Sequence, residues 1–295
     1  MAELTIDNLV KNYPGFRLGP LDLQIETGTA VGLVGANGAG KTTLFRCLMG
    51  TVRRDSGRIA VCDTEIMTTG GPCYRQIGYV GDSTPLFDSW SGEDNLRFFS
   101  RFYPAWDRQL ALQIADRLEL DLRTKPKAYS TGQRTKLAIT LALAPRPRLL
   151  FLDEPATGLD PVAREAFMEL LFEALADEEV SILYATHHVS EIERIADRLV
   201  FIKRGKVAGD MIKEDLHENW RALSFRSDAE LANVPHQVAR RNESAHWELI
   251  TDNASTTIAY LKGKGIDQIA SSRLSLEQIA VQILKGMEKG QGDRP

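Results

Sequence analysis

The segment from residue 35 to residue 43 has the composition of a loop that holds phosphate groups. It reads Gly-Ala-Asn-Gly-Ala-Gly-Lys-Thr-Thr and fits the pattern GxxxxGK[ST]. Glycines let the backbone turn its N–H groups toward an anion, and the helix that follows adds the positive end of its dipole. We expect Lys41 to reach the β- and γ-phosphates and the Thr42 hydroxyl to bind Mg²⁺. The candidate phosphate-binding residues are Gly35, Asn37, Gly38, Ala39, Gly40, Lys41, Thr42 and Thr43.

Two adjacent carboxylates follow a strongly apolar run. Residues 149–152 predict a buried strand, and Asp153 and Glu154 come directly after it. Ligands of open α/β sheets bind beyond the carboxyl ends of the strands, so these acids should share one edge with the phosphate loop. We expect Asp153 to hold Mg²⁺ through water and Glu154 to orient and deprotonate an attacking water. A pair of solvated loop acids, beside a glycine-rich turn that binds nothing, is the alternative.

The elements that must position these groups follow from the apolar pattern. Continuous apolar runs at 29–34, 148–152 and 180–186 predict buried parallel strands, and helical patterns at 161–176 and 189–196 follow the last two. Shorter strands are predicted at 4–9 and 21–25. The fold class is therefore α/β with a mostly parallel sheet, and a helix-rich section at about 88–144 is interpreted as an inserted subdomain.

The pattern changes after residue 211. Strands are predicted at 222–226 and in a hairpin at 237–250, followed by a helix at 255–262, a strand at 266–270 and a helix at 275–284. We therefore assign residues 1–211 to the large domain, 212–286 to a small separate α+β domain, and 287–295 to a frayed tail.

Composition excludes several classes of protein. The 295 residues include 36 Lys and Arg against 40 Asp and Glu, a net charge of −4, so we expect no nucleic-acid partner. No apolar run approaches the ~18–20 residues of a membrane-spanning helix, and the first residues lack the features of a secretion signal. A cytoplasmic location is therefore expected. The 3 cysteines form no CxxC pair, which disfavours a disulfide framework and a zinc site.

Five motifs occur in a fixed order along the chain. They are the phosphate loop, Tyr-Ser-Thr-Gly-Gln at 129–133, Leu-Asp-Glu at 152–154, Thr-Gly-Leu-Asp at 157–160 and Thr-His at 186–187. Over about residues 4–209 the chain resembles the nucleotide-binding subunit of an ATP-binding-cassette (ABC) transporter. Ser130 with Gln133 also fits a simple helix-capping box, so this motif alone does not require a nucleotide.

The resemblance implies a P-loop NTPase fold of the ABC type, with an antiparallel β subdomain and an inserted helical subdomain beside the parallel sheet. It implies ATP hydrolysis with Mg²⁺, Tyr13 stacking on adenine, and Ser130, Gly132 and Gln133 as the signature segment. Asp160 is then the residue that crosses a dimer interface, and His187 contacts the γ-phosphate. In the family two such domains close head to tail, so that the signature of one covers the ATP on the phosphate loop of the other.

The resemblance also implies partners. A homodimer, or a heterodimer with a similar subunit, would act with a separate integral-membrane permease at the inner face of the cell membrane. Residues 272–286 resemble the C-terminal helix of bacterial ABC exporter ATPases, which favours export. Most aromatic residues between 87 and 106 are expected in the core of the helical subdomain, and Phe87 and Trp90 are candidates for contact with the permease.

The chain departs from the family pattern at two places. Tyr129 and Thr131 replace the leucine and the first glycine of the usual signature. Asp82 stands at the glutamine position of the Q-loop, where an acid remains able to contact Mg²⁺ or its water. A non-transport ABC ATPase and a weakly hydrolytic regulator are the rival functions. The single cassette without a long coiled coil argues against the first, and Glu154 with His187 argues against the second.

Overall fold

The computed structural model describes residues 2–66, 71–81, 84–176, 180–228, 231 and 233–289. Contacts divide the chain into two compact units. The first comprises Met1–His187 and Ile202–Val207, and the second comprises His188–Phe201 and Ala208–Pro295. The domain boundary expected at residue 212 stays a prediction. Within the described ranges, no helix combines the length and the apolar composition that crossing a bilayer requires.

The first unit carries the predicted phosphate loop and carboxylates. Its strands are β1 (Ala2–Tyr13), β2 (Phe16–Glu26), β3 (Ala30–Val34), β4 (Ser56–Val61), β5 (Thr64–Glu65), β6 (Ile77–Val80), β7 (Leu149–Asp153) and β8 (Ser181–Thr186). Its α-helices are α1 (Lys41–Leu48), α2 (Gly92–Phe99), α3 (Arg108–Arg117), α4 (Thr131–Leu143) and α5 (Pro161–Ala176). Short 3-10 helices span Pro72–Gln76, Ser100–Phe102 and Pro126–Ala128.

A parallel sheet positions the site. Strands β3, β8, β7 and β6 lie side by side in that order and run parallel. Because β3, β7 and β8 are buried along their full length, their sequences are continuous apolar runs rather than alternating ones. In register, Val34 lies opposite Thr186 and Asp153 lies opposite Ala185. The carboxyl ends of β3, β7 and β8 therefore meet at one edge, as the sequence indicated.

Strands β2, β1, β4 and β5 form an antiparallel sheet in that order. In the sequence, β1 and β2 come before the phosphate loop and β4 and β5 come after it. Leu4, Ile6 and Leu9 of β1 are buried in its core. β1 and β2 are longer than the predicted strands at 4–9 and 21–25, because they stay paired as far as Tyr13 opposite Phe16. The ends of β1 and β2 near the turn between them are held by backbone hydrogen bonds and have no alternating apolar pattern. The sequence therefore did not predict that the two strands extend this far.

The helices between β6 and β7 have an apolar core of their own. Leu96 of α2, Ala111 of α3, and Leu137 and Leu141 of α4 are buried in one cluster, and Phe99 packs against it. α4 also packs against β6, which joins the helical insertion to the parallel sheet. The predicted inserted subdomain thus has the core that a separate subdomain needs.

The remaining elements belong wholly or largely to the second unit. They are α6 (Val189–Ile192), β9 (Arg198–Lys203), β10 (Lys206–Ile212), α7 (Lys213–Asn219), β11 (Arg221–Arg226), β12 (Gln237–Glu243), β13 (His246–Thr251), α8 (Ala254–Gly263), β14 (Ile269–Arg273) and α9 (Leu276–Lys289). Strands β12-β13-β11-β14 form an antiparallel sheet. Phe225, Trp247 and Leu261 are buried in its core. Helix α7 was not predicted, because Leu216 is its single buried residue and gives no helical periodicity. Residues 290–295 of the predicted tail lie outside the described residues.

Candidate active site

The phosphate loop joins the buried strand β3 to helix α1. Gly38 and Gly40 have φ values of +77° and +116°, a backbone region that side chains with a Cβ rarely adopt. A Cβ on Gly35 would lie 2.5 Å from the carbonyl oxygen of Ile202, so this position requires glycine for a close approach. Gly40 provides no side chain to cap α1, and the first turn of α1 starts at Lys41. Such a loop and helix N-terminus form a cradle that suits phosphate oxygens.

Lys41, Glu154 and His187 form one cluster of ionisable side chains at the edge of the sheet. Lys41 Nζ donates a hydrogen bond to the carbonyl oxygen of Gly35 at 2.6 Å and lies 3.1 Å from Glu154 Oε1. Nδ1 of His187 lies 2.9 Å from the other carboxylate oxygen, Oε2. The Lys41 side chain is only 5% exposed, whereas the Glu154 side chain is 24% exposed. Glu154 therefore lies between the group expected to bind phosphate and the group expected to contact the γ-phosphate.

Glu154 is held in an unusual backbone conformation. Its φ is +51°, and its N–H donates to the carbonyl oxygen of Ala185 at 2.9 Å. The left-handed region costs a residue with a Cβ about 1–2 kcal/mol. Burial acts to raise the pKa of Glu154, but its contacts with His187 and Lys41 outweigh burial and hold the pKa below its ordinary value. The carboxylate is therefore ionised near neutral pH, which a general base requires.

The residues predicted to hold Mg²⁺ lie on elements that pack together. Asp153 ends β7 and is 5% exposed, and Thr42 lies in the first turn of α1, which packs against β7. A carboxylate and a hydroxyl are the hard oxygen ligands that Mg²⁺ prefers, so this donor set fits the ion. Asp82, the third predicted metal ligand, lies outside the described residues.

Two aromatic residues occupy the end of the β1–β2 hairpin. Tyr13 is 39% exposed and lies opposite Phe16 in the strand register. The Phe16 Cζ atom would be 3.1 Å from a Cβ placed on Gly40, so the Phe16 ring lies directly beside the phosphate loop. Tyr13 was predicted as a site residue, whereas Phe16 was missed. The dipeptide Pro14-Gly15 is typical of a tight turn, but the strand pairing that places Tyr13 opposite Phe16 was not predicted.

The predicted signature segment begins helix α4. Ser130 Oγ accepts a hydrogen bond from Gln133 N at 3.2 Å, and Gln133 Oε1 accepts one from Ser130 N at 2.9 Å, so the capping box is present. A Cβ on Gly132 would lie 2.2 Å from the carbonyl oxygen of Gly158. Glycine at 132 therefore lets α4 approach the loop after β7. Thr131 contacts the same loop, since its Cγ2 would lie 3.1 Å from a Cβ on Gly158.

Asp160 stands at the start of α5. Its Oδ1 accepts a hydrogen bond from the N–H of Ala163 at 2.9 Å, and Lys136 Nζ lies 3.8 Å from its Oδ2. The hydrogen bond from Ala163, with a smaller effect of Lys136, holds the pKa of Asp160 below its ordinary value against a raising effect of partial burial. The side chain is 59% exposed, so it is accessible at the surface.

The predicted residues form two hydrogen-bonded groups. Glu154 contacts both Lys41 and His187, whereas the side-chain hydrogen bonds described for Ser130 and Gln133 are those of their own capping box. Arg134, in the first turns of α4, forms a surface ion pair with Asp88 at 2.7 Å. One chain therefore brings Glu154 next to Lys41 and His187, and residues at the start of α4 line a small cavity together with Asp153 and Glu154.

Comparison with known proteins decides the family. The ABC transporter family model matches residues 18–157. The ABC transporter ATP-binding protein YtrB of Bacillus subtilis is 32% identical over 225 residues, which are 74% of this chain and 76% of that protein. The chain belongs to the ABC transporter ATP-binding proteins. The daunorubicin resistance ATP-binding protein DrrA3 of Streptomyces coeruleorubidus is 33% identical over 221 residues, or 73% of this chain and 70% of DrrA3.

A solved structure agrees with this family. The ATP-binding subunit of an ABC transporter is 27% identical to this chain and superimposes with a TM-score of 0.67 over 73% of this chain and 92% of that subunit. The predicted fold class, the family and its ATPase activity are therefore confirmed for this ABC protein. The roles of individual side chains stay predictions, and they rest on the contacts described above.

Proposed function

We propose that two copies of this ABC ATPase enclose two ATP molecules, and that hydrolysis drives export through a separate integral-membrane subunit. The observation that carries the proposal is the position of Glu154, 3.1 Å from Lys41 and 2.9 Å from His187. An ionised carboxylate beside the phosphate-binding lysine is placed to act on the water that attacks the γ-phosphate.

Each side chain then has a defined task. The loop N–H groups and Lys41 bind the phosphates, and Glu154 orients the attacking water and accepts its proton. His187, in contact with Glu154, holds the carboxylate in place and contacts the γ-phosphate. Thr42 and Asp153 would hold Mg²⁺, which when bound offsets the negative charge of the phosphates. Attack of water on the γ-phosphorus releases ADP and inorganic phosphate.

A second copy supplies the other side of the site in this proposal. Ser130 is exposed at the start of α4, a helix of 13 residues, and its hydroxyl caps that helix. A helix start with an exposed hydroxyl suits phosphate oxygens, and among the described residues Ser130 makes no hydrogen bond to Lys41. Head-to-tail pairing of two copies, as in the family, brings the two groups to one ATP.

A matched pair of variants tests the role of Ser130. Ser275 and Gln278 form a capping box at α9 with the same distances, 3.2 and 2.9 Å, as the box of Ser130 and Gln133. Ser130→Ala and Ser275→Ala should each cost about 1 kcal/mol of stability through the lost cap. Only Ser130→Ala should also reduce ATP hydrolysis, by about 10- to 100-fold, because it removes a hydrogen bond to a charged group worth about 1.5–3 kcal/mol. Equal hydrolysis rates in the two variants would show that Ser130 only caps helix α4 and does not act on ATP.

The proposed membrane partner would contact an exposed aromatic patch on the helical insertion. We define the aromatic patch as Phe87, Trp90, Phe98 and Phe102. The rings of Phe87 and Trp90 stack with centroids 4.4 Å apart, and Phe98 meets Phe87 at 4.7 Å and Phe102 at 5.2 Å. Phe87, Trp90 and Phe102 are 37%, 40% and 54% exposed. Exposed aromatic clusters of this kind suit the apolar face of a short helix of another protein.

Charged groups border the aromatic patch. Asp94, Arg97 and Arg101 line a concavity of about 320 Å³ together with Trp90 and Phe98. Aromatic and charged side chains next to each other fit an amphipathic cytoplasmic helix of a permease, and docking there would hold this protein at the inner face of the membrane.

Membrane binding tests the aromatic patch. Trp90→Ala with Phe102→Ala should reduce binding of the purified protein to inverted vesicles from the native cells, after peripheral proteins are stripped from them. The control is Phe172→Ala on α5, an aromatic residue that is 37% exposed in the same unit. ATP hydrolysis by the isolated protein should be unchanged in both variants. Undiminished vesicle binding by the double variant would reject the patch as the docking surface.

The proposed direction is export. The name of DrrA3 refers to resistance to daunorubicin, and outward transport is a physical means of resistance. In inverted vesicles an exporter accumulates its substrate when ATP is added outside. Daunorubicin is the probe of choice because it is fluorescent, and ATP-dependent release of preloaded compound would indicate import instead.

A further inference from the structure

Asp55 forms hydrogen bonds with several residues at the end of β1. Its N–H donates to the carbonyl oxygen of Val10 at 2.8 Å. Its carboxylate accepts three hydrogen bonds: from the Asn12 backbone N–H at 2.6 Å, from Asn12 Nδ2 at 3.1 Å and from Lys11 Nζ at 3.0 Å. One loop residue therefore fixes three consecutive residues that lead directly to Tyr13.

Lys11 connects this cluster to the Tyr13 ring. Its ammonium lies over the ring, 5.5 Å from the centroid, and its side chain is only 16% exposed. The hydrogen bond from the Asn12 backbone, followed by that from Lys11, holds the pKa of Asp55 below its ordinary value, and the hydrogen bond to Asp55 raises the pKa of Lys11. The pair is therefore charged at neutral pH, and an ammonium over a ring is an attractive cation–π contact.

The tyrosine ring has one face against this ammonium, and 39% of the residue remains exposed. Its register partner Phe16 packs beside Gly40 of the phosphate loop. The end of the hairpin is thus anchored on one side by the loop and on the other by Asp55. A ring fixed in this manner suits stacking with a planar base next to bound phosphates.

We propose that Asp55 is a positioning residue for nucleobase binding, acting through Lys11 and Asn12 on the orientation of Tyr13. This inference rests on the proposed ATPase function together with the expectation, taken from the family resemblance, that Tyr13 stacks on the adenine of ATP. Asp55 itself contacts no nucleotide in this scheme. Its removal weakens binding of the base but leaves binding of the phosphates intact.

A purely structural role for Asp55 is the competing explanation, and the chain provides a matched control. Asp22 accepts a hydrogen bond from the backbone N–H of Asn8 at 2.6 Å, the same kind of contact on the same strand. Asp22→Ala and Asp55→Ala should therefore lose similar backbone support. A nucleotide effect confined to Asp55 identifies the coupling to Tyr13.

The experiment measures binding by isothermal titration calorimetry with two probes, the non-hydrolysable ATP analogue adenylyl imidodiphosphate and inorganic tripolyphosphate. Tyr13→Ala should lower the affinity for the ATP analogue about 5- to 150-fold, the range expected for loss of one base–aromatic stack. Asp55→Ala should lower this affinity by about 3- to 10-fold, because it removes only a part of the same stacking effect. The affinity for tripolyphosphate should change less than about twofold in every variant. The double variant Tyr13→Ala with Asp55→Ala should bind the ATP analogue no more weakly than Tyr13→Ala alone.

The outcomes separate the inference from the proposed function. If Tyr13→Ala leaves the affinity for the ATP analogue unchanged, the assignment of Tyr13 to adenine stacking is wrong. If Tyr13→Ala lowers this affinity but Asp55→Ala behaves like Asp22→Ala, the stacking assignment stands and the positioning role of Asp55 is wrong. Equal loss of tripolyphosphate and analogue binding in Asp55→Ala would also overturn the inference, because it would indicate general damage to the phosphate loop. Asp55→Glu should recover part of the affinity, since it retains the charge that pairs with Lys11.

Discussion

Replacing Glu154 by Gln changes one oxygen into an amide nitrogen and removes the negative charge between Lys41 and His187. The substituted side chain has almost the same volume, and Lys41 keeps its hydrogen bond to the carbonyl oxygen of Gly35 at 2.6 Å. The variant should therefore fold and bind ATP. It should lose the general base, so turnover should fall by about 10²–10⁴-fold, the usual contribution of a positioned acid–base group.

The assay is steady-state release of inorganic phosphate, together with size-exclusion chromatography in Mg-ATP. Glu154→Gln should accumulate as an ATP-bound dimer because the bound ATP is not cleaved. Glu65→Gln is the control, since Glu65 is a glutamate with two cationic partners, Arg54 at 3.1 Å and Arg58 at 3.3 Å, away from the cluster. The control should hydrolyse ATP at the wild-type rate. Turnover of Glu154→Gln within about threefold of wild type would refute the base assignment, because the expected loss is at least about a hundredfold.

Three further outcomes follow from the same geometry. Lys41→Ala should abolish ATP binding by calorimetry, since the buried ammonium is the main cation of the phosphate loop. Gly132→Ala should lower the free energy of unfolding by about 1–3 kcal/mol in a denaturant titration, because its Cβ would lie 2.2 Å from a backbone oxygen, whereas Gly263→Ala, with nothing within 4 Å, should be neutral. The depressed pKa of Glu154 means that its ionised form stabilises the fold above the ordinary glutamate pKa, and this contribution is lost as pH falls through the lower folded-state value. The stability advantage of wild type over Glu154→Gln should therefore shrink as pH falls below about 4, and an advantage that stayed unchanged between about pH 5 and pH 2 would contradict the pKa direction.

The sequence was sufficient to predict three strands of the parallel sheet and the edge at which the site lies, but not the order of the strands or the presence of β6. Continuous apolar runs identify β3, β7 and β8, and the polar residues directly after them must then meet at the carboxyl ends. The apolar pattern alone therefore places Glu154 and the phosphate loop at one edge. Helix α5 was predicted at its observed bounds, because Pro161 opens it and its apolar residues are regularly spaced.

Features that depend on contacts distant in the sequence were not predictable in this manner. Asp55 accepts a hydrogen bond from Asn12, 43 residues away in the sequence, and the local pattern of neither segment predicts this contact. The close approach of Gly132 to Gly158 depends on how α4 packs, and a single glycine in a sequence does not indicate which residue lies against it. The positive φ of Glu154 is imposed by the turn after β7, whereas the sequence alone favours an ordinary extended residue there.

The central claim, that each ATP lies between two copies of the chain, is tested most directly by mixing two variants that each hydrolyse ATP at a small fraction of the wild-type rate. Lys41→Ala has a defective phosphate loop and an intact signature, and Ser130→Ala has the reverse. A mixed dimer then contains one site built from the intact half of each copy, so hydrolysis should recover to at most about a quarter of the wild-type rate if half of the dimers are mixed. The contradictory result is a mixture no more active than the average of its two components, which would place the whole site within one chain.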